Sequence, residues 1–181
     1  MSPSLPRILR TEKTSVSPWL EVIAREVQWS SESGVETYYA IGQPDYVTVL
    51  AITPEERLVL VRQYRPAIER FSLELPAGMI DPGEDPLVAA SRELFEETGY
   101  PVSKIELIGK GATSSGRISN STYSFFVRTG EQVRGFKEEP GVSVHLASAS
   151  EMRNLILSGE FSEQAHLGAI AIAATMGLVD L

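Results

Sequence analysis

The segment from Gly78 to Tyr100, GMIDPGEDPLVAASRELFEETGY, carries most of the information about the fold. Its second half predicts a helix over residues 86–98, because Asp85 is a favourable N-cap, Pro86 suits the first helical position and Gly99 is a typical stop. The segment holds one basic and six acidic residues, so most of the excess negative charge of the chain lies within it. An acidic stretch this dense indicates a bound cation rather than a nucleic acid.

Three glutamates share one face of this helix. Glu93, Glu96 and Glu97 stand at positions i, i+3 and i+4, within one turn of each other. Ligation by oxygen atoms alone suits a hard cation, Mg²⁺ or Mn²⁺, and Arg92 can hold Glu96 by a bidentate ion pair. Taken by themselves, the glutamates are better explained by a solvated helix face, which is the commoner meaning of clustered charge. The spacing therefore leaves a metal site and a solvated face as alternatives.

The composition of the whole chain narrows the function classes. Its 181 residues and formal net charge of −8 fit one domain with a short extension, and the absence of cysteine excludes disulfides, thiolate metal sites and cysteine nucleophiles. No basic stripe offsets the acidity, so binding to a nucleic-acid backbone is not expected. The N-terminus lacks an apolar signal region, and no stretch approaches a membrane span in length. We expect a soluble, cytoplasmic protein with neither nucleic-acid nor membrane partners.

Strand patterns flank the central helix on both sides. Expected strands lie at residues 17–40 with a turn at 31–34, in a hairpin over 47–61, and at 105–109, 121–128 and 142–146. Ser148 and Glu151 form a capping box that opens a short helix ending before Gly159, and Ser162 opens a last helix of small apolar residues. This order predicts an α+β fold in which a mixed sheet packs against helices.

Seven positions of the acidic segment match the box of the Nudix hydrolases without a gap. The pattern is G-x5-E-x7-R-E-U-x-E-E-x-G-U, with U an apolar residue, and its fixed positions fall on Gly78, Glu84, Arg92, Glu93, Glu96, Glu97 and Gly99. The chain therefore resembles that family, whose fold is an α/β/α sandwich. The resemblance implies a loop, helix and loop that bind divalent metal and support hydrolysis of a nucleoside diphosphate linked to another moiety.

Segments outside the box resemble one branch of that family, the ADP-ribose pyrophosphatases. They are Val61–Ala67 (VRQYRPA) and Leu73–Gly78 (LELPAG). Members of the branch exchange an N-terminal sheet across a homodimer, so the resemblance implies a dimerising extension over residues 1–45 and a catalytic domain over residues 46–181. Carried over by position, it implies that the metal ligands are the Ala77 carbonyl, Glu93, Glu96 and Glu97.

The resemblance also implies contacts to the substrate. Arg65 would contact the diphosphate, Trp19 or Tyr39 would stack on the adenine, and Gly78 would let the backbone approach the ligand closely. Each has a plainer structural alternative: Arg65 can pair with Glu69 or Glu74, and an aromatic residue in a strand is more often part of the core or sheet surface.

One residue departs from the pattern of this branch. Its members often carry a loop glutamate as general base just before the strand that here begins at Val142, and the matching position is Val142 itself. Glu139, Glu138 and a glutamate of the box remain as alternatives. The expected catalytic residues are Arg92, Glu96, Glu97 and Glu139.

Together these features imply Mg²⁺-dependent hydrolysis of ADP-ribose to AMP and ribose 5-phosphate. Other nucleoside diphosphate sugars, NADH and nucleoside triphosphates are alternative substrates. Outside catalysis, the alternatives are a Nudix module that senses a nucleotide without cleaving it and a partner-binding protein with an acidic surface. The valine at position 142, where the branch often has a glutamate, favours the sensor. The intact box argues against both the sensor and the partner-binding protein.

Overall fold

The computed structural model describes residues 6–180, which form ten strands, three α-helices and a short 3₁₀ helix, Pro66–Ile68, in two compact units. The first unit runs to Pro44 and also includes Ala112–Ser121. The second comprises Asp45–Gly111 and the chain from Thr122 onward.

The first unit is an antiparallel sheet of three strands in the order β1-β2-β3. The strands are β1 Arg7–Ser17, β2 Leu20–Gln28 and β3 Val35–Gly42. Strands β2 and β3 confirm the predicted ribbon, but β1 was missed by the sequence analysis, since nearly all of its side chains are exposed and carry no apolar period. The Ile41 amide donates to the Arg117 carbonyl at 2.7 Å, which ties the separate segment to this sheet.

The second unit is built on a mixed sheet in the order β10-β5-β4-β9-β8, with β6 beside β5 and β7 beside β4. Its strands are β4 Tyr46–Ile52, β5 Leu58–Arg65, β6 Arg70–Glu74, β7 Ala77–Met79, β8 Val102–Gly111, β9 Thr122–Thr129 and β10 Val142–Ala147. Strand β4 runs parallel to β9 and antiparallel to β5 and β7. The central position of β4 explains why both of its faces are buried, although its sequence alternates.

Three helices cover the two faces of this sheet: α1 Pro86–Thr98, α2 Ala149–Ser158 and α3 Gln164–Thr175. Leu94 of α1 packs with Val49 and Val59 on one face, whereas Leu50 and Leu60 pack with residues of α2 and α3 on the other. Side chains of a strand alternate between faces, so neighbouring residues of β4 and β5 serve opposite layers. The predicted α/β/α sandwich is confirmed.

The helix ends follow the sequence closely. Asp85 Oδ1 accepts the Leu87 amide at 2.8 Å, Gly99 ends α1 with φ 69°, and the capping box of Ser148 and Glu151 is formed. One prediction was wrong by a residue: α3 is capped by the Glu163 side chain and not by Ser162. Among residues 6–180, no helix combines the length and the apolar character needed to cross a membrane.

Candidate active site

Arg92 on α1 joins three carboxylates of the acidic segment. Its Nε and Nη2 each donate to Glu84 at 2.9 Å, and its Nη1 donates to Glu93 at 2.8 Å and to Glu96 at 3.2 Å. A further bond from Nη2 reaches the Met79 carbonyl at 3.1 Å, which fixes the loop before the helix. The sequence analysis expected Glu96 as the bidentate partner of Arg92. In the structure that partner is Glu84. We call Arg92 with its three glutamates the Arg92 cluster.

The Arg92 cluster controls the charge state of its members. Hydrogen bonds from Arg92 hold the pKa of Glu84 at about 2, so this carboxylate is ionised at any physiological pH. Burial raises the pKa of Glu93 even though Arg92 opposes the shift. Glu96 is the exposed member, with 56% of its side chain accessible. The cluster therefore holds one firmly ionised anchor and one carboxylate that benefits from added positive charge.

Glu97 follows Glu96 on α1, and its side chain reaches strand β7. Its Oε2 accepts the Ala77 amide at 3.1 Å. Burial raises the pKa of Glu97 to about 8, the amide bond opposes this, and the charge of Glu93 adds to it. A carboxylate in this state is stabilised in its ionised form by a nearby cation. Ala77 thus contacts Glu97 through its N–H.

The structure gives a reason for glycine at position 78 that the sequence pattern did not reveal. A Cβ atom at this position would overlap the carboxylate of Glu93. Strand β7 therefore needs glycine here because Glu93 lies directly against the backbone. The close approach inferred for Gly78 is, in this structure, the approach of a protein carboxylate.

Arg65, at the end of β5, pairs with Glu74 of β6. Its Nε donates to Glu74 Oε1 at 2.9 Å, and its Nη2 donates to the second oxygen. Glu74 is only 3% exposed, and although burial would raise its pKa, the bonds from Arg65 outweigh this and lower the pKa. Tyr46 also interacts electrostatically with Arg65, and burial raises the pKa of Tyr46. The structural alternative of an Arg65–Glu74 pair is confirmed, and the Arg65 side chain remains 35% exposed.

The two charged regions meet at Glu97, which interacts electrostatically with Arg65 and Glu74 as well as with Glu93. Behind them, the buried His166 accepts the Leu75 amide at its Nδ1 at 3.1 Å, and burial lowers its pKa to about 4. This neutral imidazole fixes the chain just before Ala77. His166 therefore has a structural role.

The donor set fits a hard divalent cation. Glu93 and Glu97 are carboxylates whose ionised form lacks solvation, and both lie beside the backbone of Ala77 and Gly78. Within residues 6–180 no three acidic or imidazole side chains stand ready to hold an ion together, since Arg92 engages Glu93 and Glu96 and the Ala77 amide engages Glu97. A cation at this site would compete with these donors for the same oxygens.

Other predicted site residues lie outside this group. Glu138 Oε1 accepts the Val144 amide at 2.7 Å, whereas the exposed Glu139 carboxylate makes no side-chain hydrogen bond within the described part of the chain. Trp19 and Tyr39 belong to the first unit and are 59% and 69% exposed. Trp19 lines a cavity of about 270 Å³ in that unit, and Tyr39 is not among its lining residues.

Sequence reasoning missed the roles of Glu84 and Tyr46. The signal for Glu84 was present, because its fixed distance from Arg92 in the box brings the loop back to the helix. Tyr46 gives no such signal, since its contact with Arg65 arises from the layout of the sheet.

Comparison with known proteins places this geometry in context. The family model described as NUDIX domain matches residues 42–158. The methanol dehydrogenase activator of Bacillus methanolicus is 47% identical over 76 residues, 42% of this chain and 41% of that protein. The ADP-ribose pyrophosphatase of Bacillus subtilis (strain 168) is 34% identical over 123 residues, 66% of each chain.

Two further similarities extend over nearly the whole chain. The ADP compounds hydrolase NudE of Escherichia coli (strain K12) is 28% identical over 176 residues, 94% of this chain and 93% of that protein. A crystal structure of an ADP compounds hydrolase superposes with a TM-score of 0.81 at 23% identity, covering 99% of this chain and 100% of the other. The latter similarity supports the fold.

Proposed function

The chain belongs to the NUDIX family, and on that premise we propose that it hydrolyses the diphosphate bond of a nucleoside diphosphate sugar with Mg²⁺ bound. ADP-ribose is the first candidate, and the products would be AMP and ribose 5-phosphate. The names of the Bacillus subtilis and Escherichia coli relatives support this substrate class. The observation that carries the proposal is the pair Glu93 and Glu97, whose raised pKa values and position against Ala77 and Gly78 call for a cation.

Glu93, Glu96, Glu97 and the Ala77 carbonyl would hold the metal, with Mn²⁺ as an alternative to Mg²⁺. Once bound, such an ion neutralises phosphoryl oxygens and lowers the pKa of coordinated water. The contribution of Arg92 is orientation, because its hydrogen bonds fix the directions of Glu93 and Glu96. Glu84 in turn holds Arg92, which makes both of them positioning residues.

Arg65 would bind the diphosphate with the edge that Glu74 leaves accessible. A guanidinium held by a buried carboxylate keeps a fixed orientation, and a fixed positive charge stabilises negative charge that develops on the phosphates. Tyr46 supports the same orientation through its electrostatic interaction with Arg65. Trp19, beside the cavity of the first unit, is the better of the two candidates for stacking on the base, since Tyr39 lines no part of that cavity.

Glu139 is the proposed proton acceptor. It lies in the loop before β10 with an exposed carboxylate, and its carbonyl accepts the Val142 amide at 3.0 Å. Glu138 is less suitable because its carboxylate is already held by the Val144 amide. A free carboxylate on a loop can approach a substrate without breaking an existing bond.

We further propose that the chain forms a homodimer through its first unit. Its strands leave large apolar side chains exposed on both faces of the sheet, with Val35 on one face and Tyr38 on the other, and Val16 near the end of β1 is exposed as well. An apolar surface of this kind is typical of a protein interface. Sedimentation should show a dimer for the full chain and a monomer for a Val16→Glu, Val35→Glu variant, whereas Val133→Glu, on an exposed position of the second unit, should remain dimeric.

The test of the enzymatic proposal is a substrate panel. Phosphate release after phosphatase treatment is measured for ADP-ribose, other nucleoside diphosphate sugars, NADH and nucleoside triphosphates, with and without Mg²⁺. Mg²⁺-dependent cleavage of ADP-ribose in preference to the others is expected. No cleavage of any compound, together with tight nucleotide binding by calorimetry, would show that the protein is a sensor.

A further inference from the structure

A second concave site lies in the second unit, on the face of the sheet that α2 and α3 cover. It is a groove of about 400 Å³ between β5, β6 and β10 on one side and the end of α2 with the following loop on the other. Arg62 lies in this groove, and its neighbours along β5 at even positions, Leu58 and Leu60, pack in the cluster of that same face. Arg65 is an odd number of residues away, so strand alternation directs it to the opposite face.

The groove contains an arginine held in place by an aromatic ring. The Arg62 guanidinium carbon lies 3.9 Å from the centre of the Phe71 ring, and Tyr64 contacts the Phe71 ring edge-on at 5.5 Å. Stacking on an aromatic face fixes the plane of a guanidinium while leaving its N–H edge available. Across the part of the chain that the structure describes, Arg62 forms no ion pair.

The charge of the groove is opposite in sign to that of the chain. Arg62, Arg70 and His145 line it together with a single acidic residue, Glu160. The Glu160 carboxylate accepts the Ser158 hydroxyl at 3.3 Å. In a chain of formal net charge −8, a site with two arginines and one glutamate is a local attraction for anions.

The rest of the lining is suited to a small organic group. Phe71, Leu73 and Leu155 supply apolar surface, and Ser158 and Ser162, at the end of α2 and in the loop after it, add polar lining. Binding sites for small molecules typically enclose roughly 300 to 1,000 Å³ and combine apolar walls with a few polar groups. The groove lies within this range of volume, and its three apolar residues form one part of a lining that is otherwise mostly polar.

We propose that this groove binds a phosphate monoester of a small polar molecule, at a site separate from the carboxylates of α1. The planar fork of Arg62 matches two phosphate oxygens. Arg70 stands opposite Arg65 at the first position of the edge strand β6, and it lines the groove from that end and adds the second positive charge that a dianion requires. The apolar wall and the serine hydroxyls contact the organic part. The site does not depend on the proposed hydrolysis, although both products of that reaction belong to this chemical class.

Calorimetric titration of the full chain with ribose 5-phosphate, in EDTA so that no divalent cation bridges phosphate to the carboxylates, tests the proposal. Binding is expected for the wild type, with affinity at least about 10-fold weaker for Arg62→Gln and for Arg70→Gln, the loss expected for a charge-assisted contact. Arg153→Gln removes one positive charge from α2 outside the groove and should bind within about 2-fold of the wild type. Thermal melts confirm that each variant is folded.

Amide chemical shifts identify where the ligand binds. Changes at Phe71, His145 and Gly159 are expected on adding ribose 5-phosphate. Shifts confined to residues 77–97, or unchanged affinity in both arginine variants, would overturn the proposal. Inorganic phosphate that binds as tightly as ribose 5-phosphate would also contradict it, because the organic part would then contribute nothing.

Discussion

Two arginine–glutamate groups in this protein look alike in sequence and differ in construction. The Arg92 cluster is built along one helix and the loop before it, and Arg92 shares its donors among three carboxylates of which Glu96 is exposed. The Arg65–Glu74 pair joins two strands, and its carboxylate is almost completely buried. Partners in the first group are set by spacing along the chain, and those in the second by strand pairing.

This difference determines which of the two groups can bind a cation. Carboxylates that share one arginine and remain partly accessible can be offered to a cation, whereas a buried carboxylate bound by both oxygens to one arginine is committed to holding it. Under the proposed function, the Arg92 cluster would therefore supply ligand oxygens, and the Arg65–Glu74 pair would supply a fixed positive charge. Glu97 interacts with both and is the place to test whether they form one site.

Removal of the Glu97 charge should have the largest effect. Glu97→Gln is expected to lower kcat at least ~100-fold with Mg²⁺, because a ligand between both charged regions is lost. Since the folded pKa of about 8 lies above the unfolded value, ionised Glu97 opposes folding, and the wild type without divalent cation loses stability as pH rises from about 4.5 to 8. Urea unfolding in EDTA at pH 5 and pH 8 should show Glu97→Gln gaining stability over the wild type at pH 8 only. Turnover within a few-fold of wild type would disprove a common site.

Breaking the strand pair should mainly affect stability. Glu74→Gln leaves Arg65 without its charge partner and is expected to lower the free energy of unfolding by about 2 to 3 kcal/mol, below the full value for a buried pair because Arg65 is 35% exposed. Chemical denaturation measures this. A loss no larger than that of Glu84→Gln would show that burial does not distinguish the two groups.

Displacing one member of the Arg92 cluster should affect catalysis without touching Arg65. Gly78→Ala places a Cβ where the Glu93 carboxylate lies, so kcat should fall about 10-fold while KM changes little. Gly111→Ala is the matched control in the same unit, since a Cβ there has no atom within 4 Å. Equal turnover in both variants would mean that the position of Glu93 is unimportant.

The smallest effect is expected at Glu84, whose carboxylate holds Arg92 and also accepts the Asp81 amide at 3.0 Å. Its pKa is lowered to about 2, so its contribution to stability is present above the unfolded value near 4.5 and is lost as pH falls through 2. Glu84→Gln should therefore lower the free energy of unfolding by about 1 kcal/mol at pH 7. The difference from the wild type should shrink steadily between pH 4.5 and 2, and a difference that is independent of pH would contradict the assigned ion pair.

The helix and its charged face were largely predictable from the sequence. Asp85, Pro86 and Gly99 mark the ends of α1 by local conformational preference, and the i, i+3, i+4 spacing brings Glu93, Glu96 and Glu97 together without reference to the rest of the chain. The capping box at Ser148 was predictable for the same reason. Strand β1 was not, because nearly all of its side chains are exposed and it has no apolar pattern to identify it.

Within the site, the limit of prediction falls at contacts between elements. The sequence offered Glu69 and Glu74 as partners for Arg65, and strand pairing decided in favour of Glu74. The need for glycine at position 78 was evident from the pattern, but the group that approaches it was not, since Glu93 lies fifteen residues away on another element. The roles of Glu138 and Glu139 likewise became distinguishable only when the Val144 amide was seen to bind Glu138.

The family, the helix that carries the acidic residues and the carboxylate character of the candidate metal ligands can all be identified from the sequence. Each of them depends on residue type and spacing along one segment. The partner of each carboxylate and the direction of each pKa shift depend on the tertiary structure. The tertiary structure also places Arg62 and Arg65 on opposite faces of β5, in different surroundings. Burial and electrostatic interaction depend on distances between elements, and those distances are fixed by strand register and by the packing of helices on the sheet.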